Sequence, residues 1–303
     1  MTHPNKPVVV AAFAQSDVGL VRQNNEDSFL IADLTTGVAT PDSAALNHVI
    51  GERGSLFLVA DGMGGAEAGE VASRMGVEFV AQQVFDQLRR TSSLDRQAFV
   101  NILKQAIEDA NLVILQESLK NTNRKGMGTT LTAAAVYNTD VFFAQLGDSR
   151  AYLVRDGFIT QMTQDQSLVA QLVASGALSP EGAKGHPQRN VILQALGVRN
   201  QVDVVISFAD LRRGDRAVLC SDGLSTKVEA KEVKDFLERC SEPKEACEGM
   251  VALARERGGE DNITVIVARF DGEGLPWPGP EEAPVYSRFQ EESRRRFWLW
   301  GSK

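Results

Sequence analysis

LVADGMGGAEAG, residues 58–69, carries an apolar run straight into an aspartate and a glycine-rich loop, and beyond the loop the hydrophobic period changes. The run before Asp61 reads as a strand. After it, Val71, Met75, Phe79, Val84 and Leu88 recur every four or five positions, the apolar stripe of an amphipathic helix over residues 67–90. Asp61 thus sits where a core strand opens into a loop too rich in glycine to hide it. FFAQLGDSR repeats the design at Asp148 and VLCSDGL repeats it at Asp222, while EDNITVIVARF sets Asp261 just ahead of an apolar run.

Working outward, residues 8–14, 27–33 and 55–60 read as strands, and 35–54, with its Gly, Pro, Asp and Ser, reads as a hairpin loop. A second helix over 95–119 runs through Phe99, Ile102, Ala106, Ala110 and Val113. Strands return at 130–137, 141–147 and 150–155, with turns at Asn138-Thr139 and Asp156-Gly157. After a looser helical region at 165–196 come strands at 202–208 and 216–221, helices at 228–239 and 244–257, and a strand at 263–270. Strand blocks punctuated by pairs of helices predict an α+β fold with antiparallel sheets, not a βαβ winding. The tail from 271, DGEGLPWPGPEEAP, is rich in Pro, Gly and acids and is expected to be flexible. Its basic and aromatic end, RRRFWLWGSK, is far too short to cross a bilayer.

At 303 residues, 43% hydrophobic and 24% charged, the chain fits one soluble catalytic domain with short appendages. A formal charge of -8 with 32 Lys and Arg argues against nucleic acid as a partner, because phosphate backbones demand a basic patch. VVVAAFA (8–14) contains an Ala-x-Ala triplet, yet it is minimal for a secretory signal and leads directly into SDVG, so it reads as a strand. No run approaches the roughly 18 apolar residues of a membrane span. Cys220, Cys240 and Cys247 form no CxxC pair, which points to a reducing cytoplasm. A cysteine-nucleophile phosphatase would need an arginine six residues on, where Thr226, Ala246 and Leu253 stand. A kinase would need a GxGxxG loop, a VAIK-like lysine and an HRD loop, all of them missing.

Glu26 and Asp27 open a strand, while Asp61, Asp148, Asp222 and Asp261 sit at strand ends beside Gly or Asn. Singly, such an aspartate is a turn residue capping backbone N–H groups. Six in one context can converge on one edge if the sheets pack face to face. Gathered without a counter-ion they would repel one another, and some would be driven to protonate. The acid-bearing loops bring few lysines or arginines, and His3, His48 and His186 have no ligand-like spacing, which disfavours zinc. An oxygen-only site suits Mg²⁺ or Mn²⁺. Gly62, with no side chain in the way, could add its carbonyl. Two such ions about 3.5 to 4 Å apart would lower the pKa of a shared water toward neutrality, a device suited to phosphoryl chemistry. Arg22, four residues before Glu26, offers a guanidinium fork matched to phosphate oxygens.

The ordered set SDVGLVRQNNED (16–27), VADGMGG (59–65), GTTLTAA (128–134), LGDSRAYL (146–153), CSDGLS (220–225) and EDNITVIV (260–267) resembles the metal-dependent, type 2C protein serine/threonine phosphatases, the PPM family, as found in bacteria. The resemblance covers roughly 9–270. It implies a four-layer β-sandwich of two antiparallel sheets flanked by helix pairs, with metals in a cleft at one edge. By position, Asp61 resembles the ligand that bridges both ions. Asp222 and Asp261 match further ligands of the first, and Glu26 and the Gly62 carbonyl match ligands of the second. Asp27 corresponds to a supporter acting through water, and Arg22 to the phosphate binder. Many bacterial members hold a third metal, whose ligands Asp148 and Asp222 resemble, although Thr226 stands where some members carry a further aspartate. Met63 replaces a histidine that protonates the leaving group in some members, so no side chain is an obvious general acid. Residues 165–196 correspond to the family's variable flap, in which His186 reads as a turn residue before Pro187. The implied substrates are phosphorylated proteins, a Ser/Thr kinase among them, acted on by a monomer. Two rival readings call for features that the sequence does not show: a two-metal nuclease should carry a basic groove, and an inactive phosphatase-like binding module should have lost a ligand.

Overall fold

A computed structural model describes residues 6–40, 45–64 and 68–290. His3, the tip 41–44 of the expected hairpin loop, Gly65 of the DGMGG motif, the expected helix start at Glu67 and the basic-aromatic end 294–303 lie outside them. In chain order the strands are β1 (Val8–Asp17), β2 (Asp27–Asp33), β3 (Val38–Thr40), β4 (Ala45–Ile50), β5 (Ser55–Met63), β6 (Gly128–Thr129), β7 (Leu131–Tyr137), β8 (Asp140–Leu146), β9 (Arg150–Arg155), β10 (Phe158–Gln161), β11 (Val205–Asp210), β12 (Arg216–Cys220), β13 (Ile263–Asp271) and β14 (Ser287–Arg288). The helices are α1 (Ala68–Arg90), α2 (Arg96–Lys120), α3 (Leu168–Ala174), α4 (Pro180–Lys184), α5 (Asp222–Ser225), α6 (Ala230–Arg239) and α7 (Pro243–Glu256). One sheet runs β10-β9-β12-β13-β1-β4 and the other β14-β11-β8-β7-β5-β2-β3, with β6 on β5. All of their pairings are antiparallel.

Successive side chains of a strand point to opposite faces, so a strand apolar at every position must lie between two cores. In β5, Leu56, Leu58 and Ala60 join α1 and α2 in one core, while Phe57 and Val59 face the other sheet. In β12 and β13, Ala217, Leu219, Ile266 and Ala268 enter the inter-sheet core, and Val218, Cys220, Val265 and Val267 meet α6 and α7. Three cores separate four layers, the sandwich that the block pattern predicts. The turns at Asn138 and Asp156 hold positive φ angles of 56° and 43°, which Asn and Asp tolerate.

Two stretches differ from the sequence reading. The expected hairpin loop at 35–54 contains β3 and β4, and β4 leaves the sheet of β2 to pair with β1 at the edge of the other. An edge strand has one partner and little buried face, so ALNHVI lacks the signal of a core strand. The tail expected to be flexible is held against the body through Phe289. Leu275 is buried, Glu282 pairs with Arg155 and Arg212 at 3.1 and 2.9 Å, and β14 extends the sheet beyond β11. Phe289 meets Phe142 and Phe208 edge-on. A few such anchors suffice to order a segment whose composition reads as linker.

Candidate metal centre

β2 and β5 run antiparallel with Asp27 opposite Asp61, which places the first residue of one strand beside the end of the other. Asp148 follows β8, Asp222 opens α5 directly after β12, and Asp261 precedes β13. Strand ends from both sheets thereby bring the acids to one edge of the sandwich. Asp61 is the hub, since the charges of Asp27, Asp222, Asp148 and Asp261 all act on it. Its backbone is fixed by Thr130, whose hydroxyl accepts from the Asp61 N–H at 2.9 Å, and by Thr129, whose hydroxyl donates to the Asp61 carbonyl at 2.9 Å.

Burial, and then mutual repulsion, drives the carboxyl groups upward. Asp61 is raised well above its ordinary range by burial and by the four neighbouring acids. Asp148 is pushed up to about 7 by burial, then by Asp222 and Asp165. Asp27 is pushed up to about 7 by burial, against a hydrogen bond that Ser221 donates to its Oδ2 at 2.7 Å. Glu26 and Asp222 are raised by burial too. Such a cluster is unfavourable as bare anions and favourable around cations.

Among the described residues, no three His, Cys, Asp or Glu side chains as they stand close on one point tightly enough to hold an ion. The donor chemistry nevertheless fits hard divalent ions. The donors are all oxygen, and Asp27 Oδ1 and Asp148 Oδ1 are buried without a hydrogen-bond partner. Gly62 belongs to a cradle that a side chain would fill: a Cβ there would lie 2.2 Å from the Gly69 carbonyl oxygen and 2.5 Å from that of Glu26. Gly69 leaves room in turn for the Glu26 carboxylate, which would stand 2.8 Å from a Cβ.

Arg22, expected free for phosphate, donates to Asp261 Oδ2 at 2.9 Å, an ion pair with side chains 51% and 40% exposed. A pair so open to water parts at little cost. The loops also bring more cations than the sequence reading allowed. Arg150 of the GDSR motif forks onto Asp165 at 2.7 to 3.0 Å, tying β9 to the base of the flap. A cleft of about 870 Å³ opens against the acids, lined by Arg22, Asp148, Asp222 and Asp261 and, from the flap, by Asp165 and Lys184. Ser167 bridges Ile192 at the flap's neck, and Thr129 bridges Leu196. His186 Nδ1 accepts from the Gln188 N–H at 3.1 Å, so its ring serves the local turn.

Three supporting residues escape the sequence reading. Asn262 accepts from the Glu26 N–H at 2.8 Å and donates to the carbonyls of Val18 and Asn24 at 3.0 and 2.9 Å, suspending the loop that carries Arg22 and Glu26. Ser221 and Thr130 hold Asp27 and Asp61. Ser221 and Asn262 each adjoin an aspartate in sequence, and that adjacency was the available signal; Thr130, in GTTLTAA, has no acid near it in sequence and offered none.

The family model described as Protein phosphatase 2C matches residues 34–256. This chain belongs to the protein phosphatase 2C family. The match spans Asp61, Asp148 and Asp222, while Arg22, Glu26, Asp27 and Asp261 lie outside it. The serine/threonine phosphatase stp of Listeria monocytogenes is 37% identical over 217 residues, 71% of this chain and 84% of that protein. The serine/threonine protein phosphatase PstP of Mycobacterium tuberculosis is 36% identical over 261 residues, 86% of this chain and 45% of its own length. The crystal structure of that M. tuberculosis phosphatase superposes with a TM-score of 0.72 at 36% identity, covering 87% of this chain and 99% of the crystallised one. A PstP catalytic domain solved in complex with two manganese ions superposes with a TM-score of 0.70 at 34% identity, covering 87% and 99%. Protein phosphatase 2C enzymes are metal-dependent, in keeping with the oxygen-only cluster. No described helix of this family member is long and apolar enough to cross a membrane.

Proposed function

We propose that this phosphatase hydrolyses phosphoserine and phosphothreonine on proteins, with Glu26, Asp61, Gly62, Asp222 and Asp261 holding two Mn²⁺ or Mg²⁺ ions and Asp148 with Asp222 serving a third. The observation that carries the reading is the convergence of strand ends from both sheets, with Asp27 opposite Asp61 across β2 and β5 and with Asp148, Asp222 and Asp261 lining one cleft. When bound, the ions supply charge that offsets the phosphoryl oxygens and bring a water's pKa toward neutrality. Arg22 leaves its exposed pair with Asp261 to fork onto the phosphate. Asp27, fixed by Ser221, keeps an acceptor oxygen free to hold and orient a water. Met63 contributes no proton donor, so no imidazole serves the leaving group. The flap neck, fastened through Arg150 and Asp165, positions one wall of the cleft over the acids.

A Ser/Thr kinase among the substrates, a monomeric state and a reducing cytoplasm complete the proposal; the last is supported by three unpaired cysteines, two of them buried. The rival reading, an inactive binding module, is disfavoured because every acid of the set is present at the site. The test is manganese-dependent phosphate release from a phosphothreonine peptide by wild type and Asp222→Asn, with EDTA as a companion. Loss of turnover in the variant and in EDTA is expected. Equal turnover by both proteins rejects the assignment.

A further inference from the structure

Immediately before Arg22 the loop exposes a run of apolar side chains: Val18 is 36%, Leu20 57% and Val21 65% exposed. Loops normally turn such groups inward, but here the backbone is fixed in the outward arrangement. Gly19 takes φ +81°, and a Cβ there would lie 2.3 Å from the Asp261 carbonyl oxygen, so the chain hugs the loop that carries Asp261. The Gly19 N–H donates to Asp17 Oδ1 at 2.8 Å and the Leu20 N–H to the Gly259 carbonyl at 2.7 Å. Asn262 clamps the carbonyls of Val18 and Asn24 on either side. Leu20 and Val21 are therefore presented to solvent by a braced loop, directly adjoining the side chain that reaches the cleft.

We propose that Leu20 and Val21 form an apolar subsite that selects phosphoproteins with an apolar residue within two positions of the phosphorylated one. The inference rests on the phosphatase reading and adds a substrate chemistry to it. An extended peptide advances about 3.3 to 3.6 Å per residue. Arg22 lines the cleft while Leu20 and Val21 stand outside its lining, so a peptide with its phosphate at Arg22 would meet these two side chains where it leaves the cleft, one or two residues from the phosphorylated one. Partial burial of two such side chains against an apolar partner favours an apolar-flanked peptide over a serine-flanked one by about fivefold in kcat/KM.

The experiment measures kcat/KM with manganese for two phosphothreonine peptides, identical except for leucine or serine at the flanking positions. It compares wild type, the double variant Leu20→Ser/Val21→Ser and the conservative pair Leu20→Ile/Val21→Ile. The ratio between peptides, taken on one protein at a time, cancels general losses of activity. Wild type and the conservative pair are expected to prefer leucine about fivefold, and the serine variant to show a ratio near one. Turnover without preference in wild type, or a preference retained in the serine variant, overturns the subsite alone. No turnover of either peptide or of p-nitrophenyl phosphate by wild type overturns the phosphatase reading, and the subsite with it. A wild-type dimer that the serine variant cannot form would assign the apolar lip to a second copy of this chain and also overturn the proposal.

Discussion

Asn262→Ala separates positioning of the site from its chemistry. The side chain is 5% exposed and makes three hydrogen bonds, one from the Glu26 N–H and two to the carbonyls of Val18 and Asn24. Each bond is worth about 1 kcal/mol net. The Val18 and Asn24 carbonyls belong to an exposed loop and regain water, whereas the Glu26 N–H beside buried Asp27 does not. The expected loss of stability is therefore about 2 kcal/mol, read as a lowered urea midpoint at unchanged slope. Activity should fall further than stability, because Arg22 and Glu26 ride on the loop that Asn262 suspends, and displacement by about 1 Å can cost about a hundredfold. The assay is a manganese titration of phosphopeptide turnover. We expect half-saturation to rise about tenfold and kcat/KM to fall at least about thirtyfold. Asn262→Asp, which keeps the acceptor for Glu26 and loses the donors, should lie between. Stability within about 0.5 kcal/mol of wild type together with kcat/KM within about threefold would refute the reasoning.

The acid cluster makes the metal-free protein sensitive to pH. Asp148 is raised from its ordinary 3.8 up to about 7, so the folded state holds the proton more tightly than the unfolded chain. Stability then falls as pH rises from about 4 to about 7 and levels off above. The ceiling is about 4 kcal/mol, or about 2 after solvent screening. In EDTA, the stability advantage of Asp148→Asn over wild type should grow by that amount between pH 4 and pH 8, and a pH-independent difference between the two proteins would count against the cluster. A chain ending at residue 274 loses Phe289, Glu282 and the β14 pairing, and should melt earlier by the equivalent of about 2 to 4 kcal/mol with kcat unchanged; an unaltered melting point would show that the strap contributes nothing. Gly223→Ala places a Cβ 2.0 Å from the Asn262 carbonyl oxygen, backbone that cannot step aside. About 3 kcal/mol of stability should be lost, with Asp222 displaced and turnover reduced, which calorimetry and the peptide assay can check together.

What was legible in the chain depended on how many residues had to agree. Each sheet face is written by several apolar positions at period two, and β5, sandwiched between two cores, announces itself over SLFLVA without help from neighbours. The acids are legible for a related reason: a divalent ion calls for several like groups at once, and an aspartate beside glycine at three strand ends, with a fourth beside Asn262 at the start of β13, is hard to produce by turn chemistry alone. Asn262, Ser221 and Thr130 act through one to three hydrogen bonds each. A lone Asn or Ser beside an aspartate is compatible with any cap or turn, and a Thr at the head of an apolar strand with plain strand propensity, so the residue type carries almost no positional information. Edge elements fail the same way. β4 answers to one neighbour, and the strap from 275 to 289 answers to a few isolated anchors. Arg22 is the intermediate case. Its spacing from Glu26 places it at the site, but its pairing with Asp261 is decided by a loop that Gly19 and Asn262 fold back across 239 residues of sequence. The ion pair and the braced apolar lip are thus consequences of one local geometry, in which Gly19 lets the loop approach β13 and Asn262 holds it there.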